Sequence, residues 1–293
     1  MKIALVTYQD QGKYHTAAAN NEDDLLISFL ASKGFEVEKA IWNDPNVLWE
    51  RFDVVIIKSP WDYFNHINEF YVWLDGLGQL NCRVLNPIAV LKWNADKHYL
   101  NDIAQAGLKV TPSVFTSQEA QSDLSSYFER FDTEQIIVKP AVSGGSKNTF
   151  KVTRTNVDEI NVQLMALKQE EDFIIQPFLK EIEDQGEWSF VFFGGKFSHA
   201  LLKKAKAGDF RVQATFGGTV HPLLPDPELL AQAQDYVDQF AKDCLYSRVD
   251  GTIVNQKLML MELELIEPFL FLETHEHAFE NYGKALETIL GQA

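Results

Sequence analysis

Residues 248–268 have the pattern of two β-strands joined by a short turn, with acidic residues on one face of the second strand. Side chains alternate across a strand, so Glu262 and Glu264 share a face and lie about 7 Å apart. The other face is apolar and carries Met259, Met261, Leu263 and Leu265. Pro268 ends the strand because it has no backbone N–H to donate. The chain must therefore accommodate a hairpin on which negative charge is concentrated.

The length of the turn decides whether a third carboxylate joins that face. A three-residue turn, Asn255–Lys257, places Asp250 opposite Glu262, whereas a two-residue turn moves Asp250 to the other face. Carboxylates that face one another repel, so we expect a cation between them, and oxygen ligands suit a hard ion such as Mg²⁺. The alternative is an ordinary strand whose acidic face is solvated.

Net charge limits the classes of partner. The chain has 293 residues and a formal charge of -16, which argues against nucleic acid or an anionic membrane as a partner, because both favour basic surfaces. No apolar run approaches the roughly 18–20 residues that span a bilayer, and the N-terminus lacks the pattern of a signal peptide. Cys82 and Cys244 have no metal-ligand spacing and suit a reducing compartment. We expect a cytoplasmic protein.

Residues 1–95 alternate between strand and helix patterns. The predicted strands are Ile3–Tyr8, Phe35–Trp42, Asp53–Lys58 and Arg83–Leu85, with one helix capped by Asn20–Asp23 and another through Phe70–Leu77. This order indicates a small, open, mostly parallel sheet, whose ligands bind beyond the strand C-termini. The candidate substrate-binding residues at those ends are Lys58, Ser59, Asp62 and Tyr63, together with Tyr8 and Asp10.

The residues after about 95, where we place a domain boundary, have the strand and helix pattern of an α+β structure. A helix is predicted to open at Asn94–Lys97. Further strands are predicted at Val110–Phe115, Gln135–Lys139, Phe173–Phe178, Glu187–Phe193, Lys196–Leu202 and Phe210–Phe216, and further helices at Ser117–Phe131, Asn156–Lys168, Pro227–Cys244 and Glu276–Leu290. We predict three units, at residues 1–95, 96–178 and 179–293.

Two stretches could meet a nucleotide. Lys139 ends a buried strand, and the following loop, Ser143–Ser146, contains Gly144 and Gly145 and can offer successive N–H groups to an anion; the alternative is a flexible hairpin loop. Gln176 and Phe178 end another strand just before a polar segment. That segment could contact a base and ribose, or it could be a linker between lobes.

Basic residues are concentrated at only one place in this acidic chain. They are Lys203, Lys204, Lys206 and Arg211, and Gly217 and Gly218 follow them. A solvated lysine cluster is the ordinary explanation, but an arginine within a strand pattern favours a planar oxyanion as partner. His275 and His277 flank Glu276 without the spacing of a zinc site on a helix, so zinc is not expected.

The order of these features resembles the ATP-grasp superfamily, in particular its glutathione-synthetase and ribosomal-modification-ligase branch. The resemblance covers nearly the whole chain and is carried by Lys97, Lys139-Pro140, Asp209-Phe-Arg211 with Gly217-Gly218, and Asp250 with Glu262 and Glu264. Three motifs are most similar to the O-ureido-serine cyclo-ligase type of cycloserine biosynthesis: Trp93-Asn-Ala-Asp-Lys97, Arg248-Val-Asp-Gly251 and Met261-Glu-Leu-Glu-Leu-Ile-Glu-Pro268. The resemblance implies an α/β ATP-grasp fold, with an N-terminal open parallel α/β domain followed by two α+β lobes that sandwich ATP.

The resemblance also implies roles for individual residues. ATP would be bound by Lys97, Lys139, Ser143, Gly144, Gly145, Ser146, Gln176, Phe178 and Glu187; Arg211 and Lys203 would be catalytic; and Mg²⁺ would be held by Asp250, Glu262 and Glu264. One or two ions are implied, with Mn²⁺ as an alternative metal. Two positions depart from the family: Glu264 stands where Asn is usual, and Gln213 where Asn is frequent. A third carboxylate makes the metal site more anionic.

The function implied is an ATP- and Mg²⁺-dependent ligase that activates an amino-acid-like or peptide-like carboxylate as an acyl-phosphate. An amine or amide nitrogen would then displace phosphate, with ADP as the other product. The family often forms homodimers. Two alternatives remain open: a phosphotransferase of another kind on the same fold, and a nucleotide-binding module without catalysis. The retained carboxylates argue against the second.

Overall fold

The computed structural model describes residues 1–9, 17–116, 123–167, 171–206, 208–209, 211–212 and 216–291, with the backbone alone at 17–20. The N-terminal part forms a parallel sheet in the order β2-β1-β3-β4. Its elements are β1 (Lys2–Thr7), α1 (Ala17–Ser32), β2 (Glu36–Ile41), β3 (Val54–Ser59), α2 (Ile67–Leu77), β4 (Arg83–Leu85) and α3 (Ile88–Asn94). Strand β3 is buried along its whole length, which confirms the parallel sheet expected from the alternating pattern.

The middle of the chain forms an antiparallel sheet in the order β5-β8-β6-β7. Its elements are α4 (Tyr99–Gln105), β5 (Val114–Thr116), α5 (Ser125–Arg130), β6 (Gln135–Pro140), β7 (Phe150–Thr153), α6 (Val157–Leu167) and β8 (Phe173–Pro177). The predicted strand at Val110–Phe115 is shorter and later, because Val110 instead bridges to Leu260. Helix α5 begins at Ser125, and residues 117–122 lie outside the described ranges.

The C-terminal part forms a second antiparallel sheet, in the order β11-β10-β9-β12-β13. Its elements are α7 (Glu181–Asp184), β9 (Glu187–Phe193), β10 (Lys196–Lys204), β11 (Thr219–Pro222), α8 (Pro227–Phe240), β12 (Tyr246–Val254), β13 (Lys257–Glu264) and α9 (Ala278–Gly291). The strand predicted at Phe210–Phe216 falls largely on residues outside the described ranges. The three sheets lie within the three predicted units, whose boundaries stay a prediction.

Two helix starts differ from the prediction. Helix α1 begins at Ala17, so Asn20–Asp23 lies inside the helix instead of capping it. Asn94 ends α3 and does not open α4. Its side-chain amide donates to the carbonyl of Leu263 at 2.7 Å, and its oxygen accepts from the N–H of Leu265 at 3.0 Å. Asn94 therefore supplies hydrogen-bond partners for backbone groups along the edge strand β13 and just after it.

The first and third sheets share a hydrophobic core, whereas the middle sheet has a core of its own and also contributes Ile174 of β8 to the core of the third sheet. Leu5 and Ile56 of the first sheet belong to the same buried cluster as Phe193 and Tyr246 of the third. The separate core of the middle sheet contains Phe128, Ile136, Val138, Val152, Leu164 and Phe173. No helix in the described ranges is long and apolar enough to cross a membrane.

The acidic hairpin turns through two residues, and a β-bulge restores the pairing expected from a longer turn. Asn255 and Gln256 form the turn with φ angles of 50° and 63°, the left-handed conformation that two-residue hairpins favour. The register then shifts between Gly251 and Asp250, so Asp250 lies opposite Glu262. The predicted pairing is confirmed, but the predicted turn length was wrong.

The bulge also changes which residues form the apolar face. Met259 and Met261 were predicted to share that face with the leucines that follow, and this was wrong. The buried residues of this stretch are Leu258, Leu260, Leu263 and Leu265, which all belong to one core cluster. Alternation is interrupted between Leu260 and Leu263 because the extra bulge residue inverts the faces of the strand.

Gly251→Ala is expected to destabilise the protein by roughly 2–3 kcal/mol. A Cβ at Gly251 would lie 2.4 Å from the carbonyl oxygen of Met259, which is backbone and cannot move aside as a side chain could. Gly76→Ala in α2 is the matched control, because no atom of the described residues lies within 4 Å of its Cβ position and alanine favours helix. Urea unfolding measures both variants. Equal stability of Gly251→Ala and wild type would contradict the bulge geometry.

His199 is a buried neutral histidine that contacts the segment following β13. Its Nε2 lies 2.9 Å from the carbonyl of Leu270, and its Nδ1 lies 3.0 Å from the hydroxyl of Ser198. Burial lowers the pKa of His199 from 6.5 to about 4, with a further contribution from the nearby ring of His275. Between pH 6.5 and about pH 4, His199 is therefore protonated to a smaller extent in the folded state than in the unfolded state.

This histidine predicts a loss of stability in acid. The stability that His199 contributes should fall as the pH drops from 6.5 towards 4, because the unfolded state takes up the proton first, with at most about 3 kcal/mol from this site. His199→Gln should remove this contribution from the pH profile of unfolding free energy, measured with urea, and so change the slope of the profile between these values. His277→Gln is the control, since the His277 side chain is 66% exposed. An unchanged slope in His199→Gln would contradict the prediction.

Candidate active site

One face of the C-terminal sheet gathers charged side chains from β9, β10, β12 and β13. The directly opposed pairs are Lys203 with Glu187, Ser189 with Asp250, Asp250 with Glu262, and Arg248 with Glu264. Because side chains two residues apart on a strand share a face, these pairs form a continuous charged row. The predicted metal ligands and the predicted catalytic lysine thus lie together.

Asp250 is the most enclosed carboxylate of the row. Arg248 binds it through Nε and Nη2, at 2.8 Å for the shortest contact, and Lys203 binds it at 3.1 Å. The hydroxyl of Ser189 donates to it at 2.6 Å. Burial disfavours its ionised form, but the two cations outweigh burial and hold the pKa of Asp250 well below its ordinary value.

Glu264 and Glu262 are more open and have different cations. Arg248 pairs with Glu264 as well as with Asp250, and Lys139 of β6 reaches from the middle sheet to Glu262 at 2.8 Å. Burial raises the pKa of Glu264 to about 7 against the effect of Arg248. Burial also disfavours the Glu262 anion, but Lys139 and Lys97 lower its pKa to about 2. Glu262 is thus ionised and already joins two sheets.

Lys203 is shared between two acids. It forms ion pairs with Glu187 and Asp250. Burial opposes its charge, but these carboxylates outweigh burial and raise the pKa of Lys203. One cation cannot fully neutralise both partners, and burial raises the pKa of Glu187. Glu187 is paired with Lys203 in this structure. Its predicted contact with ribose stays a prediction.

Lys97 and the small-residue loop lie beside each other. Lys97 donates from Nζ to the carbonyl of Ser143 at 2.9 Å, and its N–H donates to Ala141 at 2.9 Å. Desolvation lowers the pKa of Lys97. Gly145 and Ser146 have left-handed φ angles of 58° and 60°, so the loop turns tightly. Lys97, Lys139 and Ser143–Ser146 are therefore close enough to act on one ligand.

The residues predicted to meet adenine lie at the end of β8. The Gln176 amide donates to the hydroxyl of Ser113 at 2.9 Å and is buried. The N–H of Phe178 donates to the carbonyl of Gln135 at 2.9 Å, and Lys151 lies 3.9 Å from the centre of its ring. Contact of Gln176 and Phe178 with a base stays a prediction.

Arg211 lies next to residues outside the described ranges, among them Gln213. Its guanidinium pairs with Asp209 at 2.8 Å and lies 3.6 Å from the centre of the Phe216 ring. The hydrogen bond to Asp209 raises the pKa of Arg211. Its predicted catalytic role stays a prediction.

The candidates from the N-terminal sheet need correction. The Lys58 side chain is fully buried and forms ion pairs with Glu22 at 3.0 Å and Asp23 at 3.3 Å, and Ser59 donates to Asp23. Both side chains belong to the interior because the end of β3 is covered by α1 and by the chain after β13. Asp62 accepts a hydrogen bond from the Trp42 indole at 2.7 Å.

Two other N-terminal candidates have different outcomes. Asp10 lies outside the described residues. Tyr8 is buried and packs against Trp61, with ring centroids 5.7 Å apart. Tyr63 is buried as well, but it lies beyond β3 and close enough to Glu267 and Glu264 for their charges to add to burial in raising its pKa, so it remains a candidate.

Sequence reasoning missed Arg248, which neutralises two of the predicted metal ligands. Its guanidinium contacts Asp250, Glu264 and the carbonyl of Phe269, the last at 2.8 Å. The signal was present, because Arg248 and Asp250 are two residues apart on one strand and so must share a face. Ser189 was also missed; it becomes visible only once β9 is known to pair with β12.

The carboxylates fit Mg²⁺ in their chemistry, although they are not assembled as a metal cage. In the described part of the chain, no group of three or more His, Cys, Asp or Glu is arranged to hold a metal. Each predicted ligand is instead paired with Lys or Arg. The Glu262 and Glu264 side chains remain 32% and 26% exposed, so both can offer oxygen atoms, the ligand type that Mg²⁺ prefers.

Two family models match adjoining parts of the chain. Residues 3–86 match the model described as D-cycloserine synthetase DcsG, N-terminal domain. Residues 103–246 match the model described as prokaryotic glutathione synthetase, ATP-grasp domain. The charged hairpin lies almost wholly beyond these matches, so its assignment depends on the geometry described above.

Individual relatives agree with both models. The cycloserine biosynthesis protein DcsG of Streptomyces lavendulae is 26% identical over 280 residues, which cover 89% of this chain and 91% of that protein. The crystal structure of D-cycloserine synthetase DcsG superposes with a TM-score of 0.84 at 25% identity, covering 99% of this chain and 100% of that one. D-alanine–D-alanine ligase from Bacillus anthracis shares the fold, with a TM-score of 0.75 at 15% identity and coverage of 99% and 96%.

Proposed function

Because this chain belongs to the ATP-grasp ligases and carries an N-terminal domain of the D-cycloserine synthetase type, we propose that it activates the carboxylate of a small amino-acid-like substrate with ATP. A nitrogen then attacks the activated carbon, and the products are ADP, phosphate and a new C–N bond. The observation that supports this most is the grouping of four cations, Lys97, Lys139, Lys203 and Arg248, around the predicted metal ligands Asp250, Glu262 and Glu264.

We assign the cations to the ATP phosphates. Lys97 and Lys139 lie beside the Ser143–Ser146 loop, whose backbone can cradle an anion. A polyphosphate would compete with Glu262 for Lys139 and would release that carboxylate. Binding of ATP and exposure of metal ligands would then be one event.

Asp250, Glu262 and Glu264 are the residues that would hold Mg²⁺. The ion would supply charge neutralisation for the phosphates during transfer. Arg248 keeps Asp250 and Glu264 oriented, and Lys203 and Ser189 hold Asp250 from the other side. The protein's own contribution is to preorganise charge at this place, which is how phosphoryl transfer is catalysed in general.

The chemistry needs no covalent enzyme intermediate. A carboxylate oxygen of the substrate attacks the γ-phosphorus, the bond to the ADP oxygen breaks, and an acyl-phosphate forms. A nitrogen lone pair then attacks the acyl carbon, phosphate leaves, and the nitrogen loses a proton. If carboxylate and nitrogen belong to one molecule, the product is cyclic. The relative named D-cycloserine synthetase motivates that version for this chain.

The test is release of ADP and phosphate over a panel of D- and L-O-ureido-serine, free amino acids and dipeptides, with product masses. A product that has lost the elements of water, or two substrates joined with that loss, supports ligation. ATP consumption with phosphate on the product supports the phosphotransferase alternative. A melting temperature unchanged by Mg-ATP or Mg-ADP would overturn nucleotide binding.

A further inference from the structure

Glu267 lies where three parts of the molecule meet. It follows β13 by three residues, between the buried residues Ile266 and Pro268. Its carbonyl accepts a hydrogen bond from the Trp61 indole of the N-terminal domain at 3.0 Å. Its Oε1 lies 3.5 Å from the position that a Cβ on Gly144 would occupy. The carboxylate therefore faces the loop assigned to the phosphates.

Within the described part of the chain, Glu267 lacks the cation that the other site carboxylates have. Glu262 is paired with Lys139, and Glu264 with Arg248. Among the described residues, none donates a hydrogen bond to the Glu267 carboxylate or forms an ion pair with it. The nearby Lys97 directs its ammonium to the carbonyl of Ser143 instead. A half-buried carboxylate without a partner is costly unless a ligand supplies the charge.

The electrostatics agree with this arrangement. Burial, together with the smaller effect of the Glu264 charge, raises the pKa of Glu267 to about 8, while Lys97 opposes both. A carboxylate in this state gains most from a cation that arrives with a ligand, because an adjacent positive charge favours its ionised form.

The surroundings favour an organic cation. Tyr63 and Phe64 are buried, with ring centroids 5.7 Å apart, and a Cβ on Gly144 would lie 2.6 Å from the Phe64 ring. The Tyr63 hydroxyl makes no hydrogen bond within the described chain. Burial raises the pKa of Tyr63, and the charge of Glu267 is the next cause. Aromatic faces attract ammonium groups, whereas Mg²⁺ retains oxygen ligands and water.

We propose that Glu267 and Tyr63 form the subsite for the ammonium group of an amino-acid-like substrate. The carboxylate accepts N–H bonds from the ammonium, and the hydroxyl of Tyr63 completes its polar surroundings. The group bound here is held in place and is not the attacking nitrogen. This inference rests on the proposed ligase function and specifies the substrate as one with a free amine.

The experiment compares binding of paired probes. Wild type with Mg²⁺ and a non-hydrolysable ATP analogue is titrated calorimetrically with D- and L-O-ureido-serine and D-alanine, and with the N-acetyl derivative of each. We expect the best free amine to bind about 10- to 100-fold more tightly than its N-acetyl form, as for a charge-assisted hydrogen bond. Equal affinities, or no binding by any probe, would overturn the subsite.

Variants then identify the residues responsible. Glu267→Gln should lose the preference for the amine over its N-acetyl form, which a merely structural role would not do. Tyr63→Phe should weaken amine binding about 3- to 10-fold. Glu276→Gln is the matched control, since the Glu276 side chain is 81% exposed, and should retain the full preference. A Glu267→Gln protein that still prefers the amine overturns the assignment.

The outcomes separate this inference from the ligase proposal. Stabilisation by Mg-ATP, measured as a shift in melting temperature on the same samples, reports nucleotide binding alone. If that shift is present and no amine preference exists, only the subsite fails. If Glu267→Gln does not fold, two measurements still test the subsite. Glu267→Asp retains the charge and should retain a preference for the free amine. The comparison of free and N-acetylated probes on wild type needs no variant.

Discussion

Arg248→Met is expected to reduce kcat/KM by about 1,000-fold or more and to lower the free energy of unfolding by roughly 3–5 kcal/mol. The buried guanidinium pairs with both Asp250 and Glu264 and also donates to the carbonyl of Phe269. Methionine of similar length leaves these acceptors without their cation, and the pKa values of both carboxylates should rise. Steady-state phosphate release and urea unfolding measure the two effects.

Two further variants separate charge from geometry. Arg248→Lys retains the charge but cannot reproduce the forked contacts, so it should recover much of the stability and little of the activity. Arg154→Met removes an arginine that pairs with Glu134 at the surface and should behave as wild type. If Arg248→Met retains activity within a few-fold of wild type, the charged row is not the catalytic centre.

Glu262→Gln is expected to lower kcat by about 100- to 1,000-fold and to weaken the apparent affinity for Mg²⁺. Glutamine keeps the size of the side chain and its strand position but removes the charge that now pairs with Lys139. A titration of Mg²⁺ at saturating ATP separates the loss of metal affinity from the loss of turnover. Glu262 ionises with a pKa near 2, so the defect should be present throughout the neutral range.

The matched control is a surface carboxylate that pairs with the same strand. Lys257 at the start of β13 pairs with Glu228 of α8 at the surface, and Glu228→Gln removes a carboxylate there without touching the charged row. It should leave Mg²⁺ dependence and turnover unchanged. Unchanged Mg-ATP affinity and turnover in Glu262→Gln would show that the metal assignment is wrong.

The parallel sheet was predictable because a buried strand leaves a continuous apolar run, as in β3. Helix ends were less predictable: α1 begins at Ala17, so the capping residues that start at Asn20 lie inside the helix, and local preference is a weak guide to a helix start. Asn94 looked like a helix start, whereas its amide pairs with Leu263 and Leu265 across a long sequence separation. Local pattern contains no information about such a partner.

Which residues form the site was largely predictable from the sequence, but which of them pair with one another was not. Period-2 alternation placed Glu262 beside Glu264, and the resemblance to ATP-grasp proteins added Asp250 and the lysines. The pairing of Asp250 with Glu262 was predicted for the wrong reason. A longer turn was expected, whereas the hairpin has a two-residue turn and a bulge between Asp250 and Gly251. Lys58 looked like a cleft residue because it ends a strand, but Glu22 and Asp23 bury it.

The division of hydrophobic cores has a mechanical consequence. The N-terminal and C-terminal sheets are joined through one core. The middle sheet has a core of its own, and it meets the C-terminal sheet through Ile174 of β8, Phe115 of β5 and the Lys139–Glu262 ion pair. A movement of the middle sheet against the other two would therefore leave those two cores intact and would expose the contacts of Ile174 and Phe115. The same movement would separate this ion pair, and a bound polyphosphate would take over the contact with Lys139, so nucleotide binding and the position of the middle sheet would be coupled.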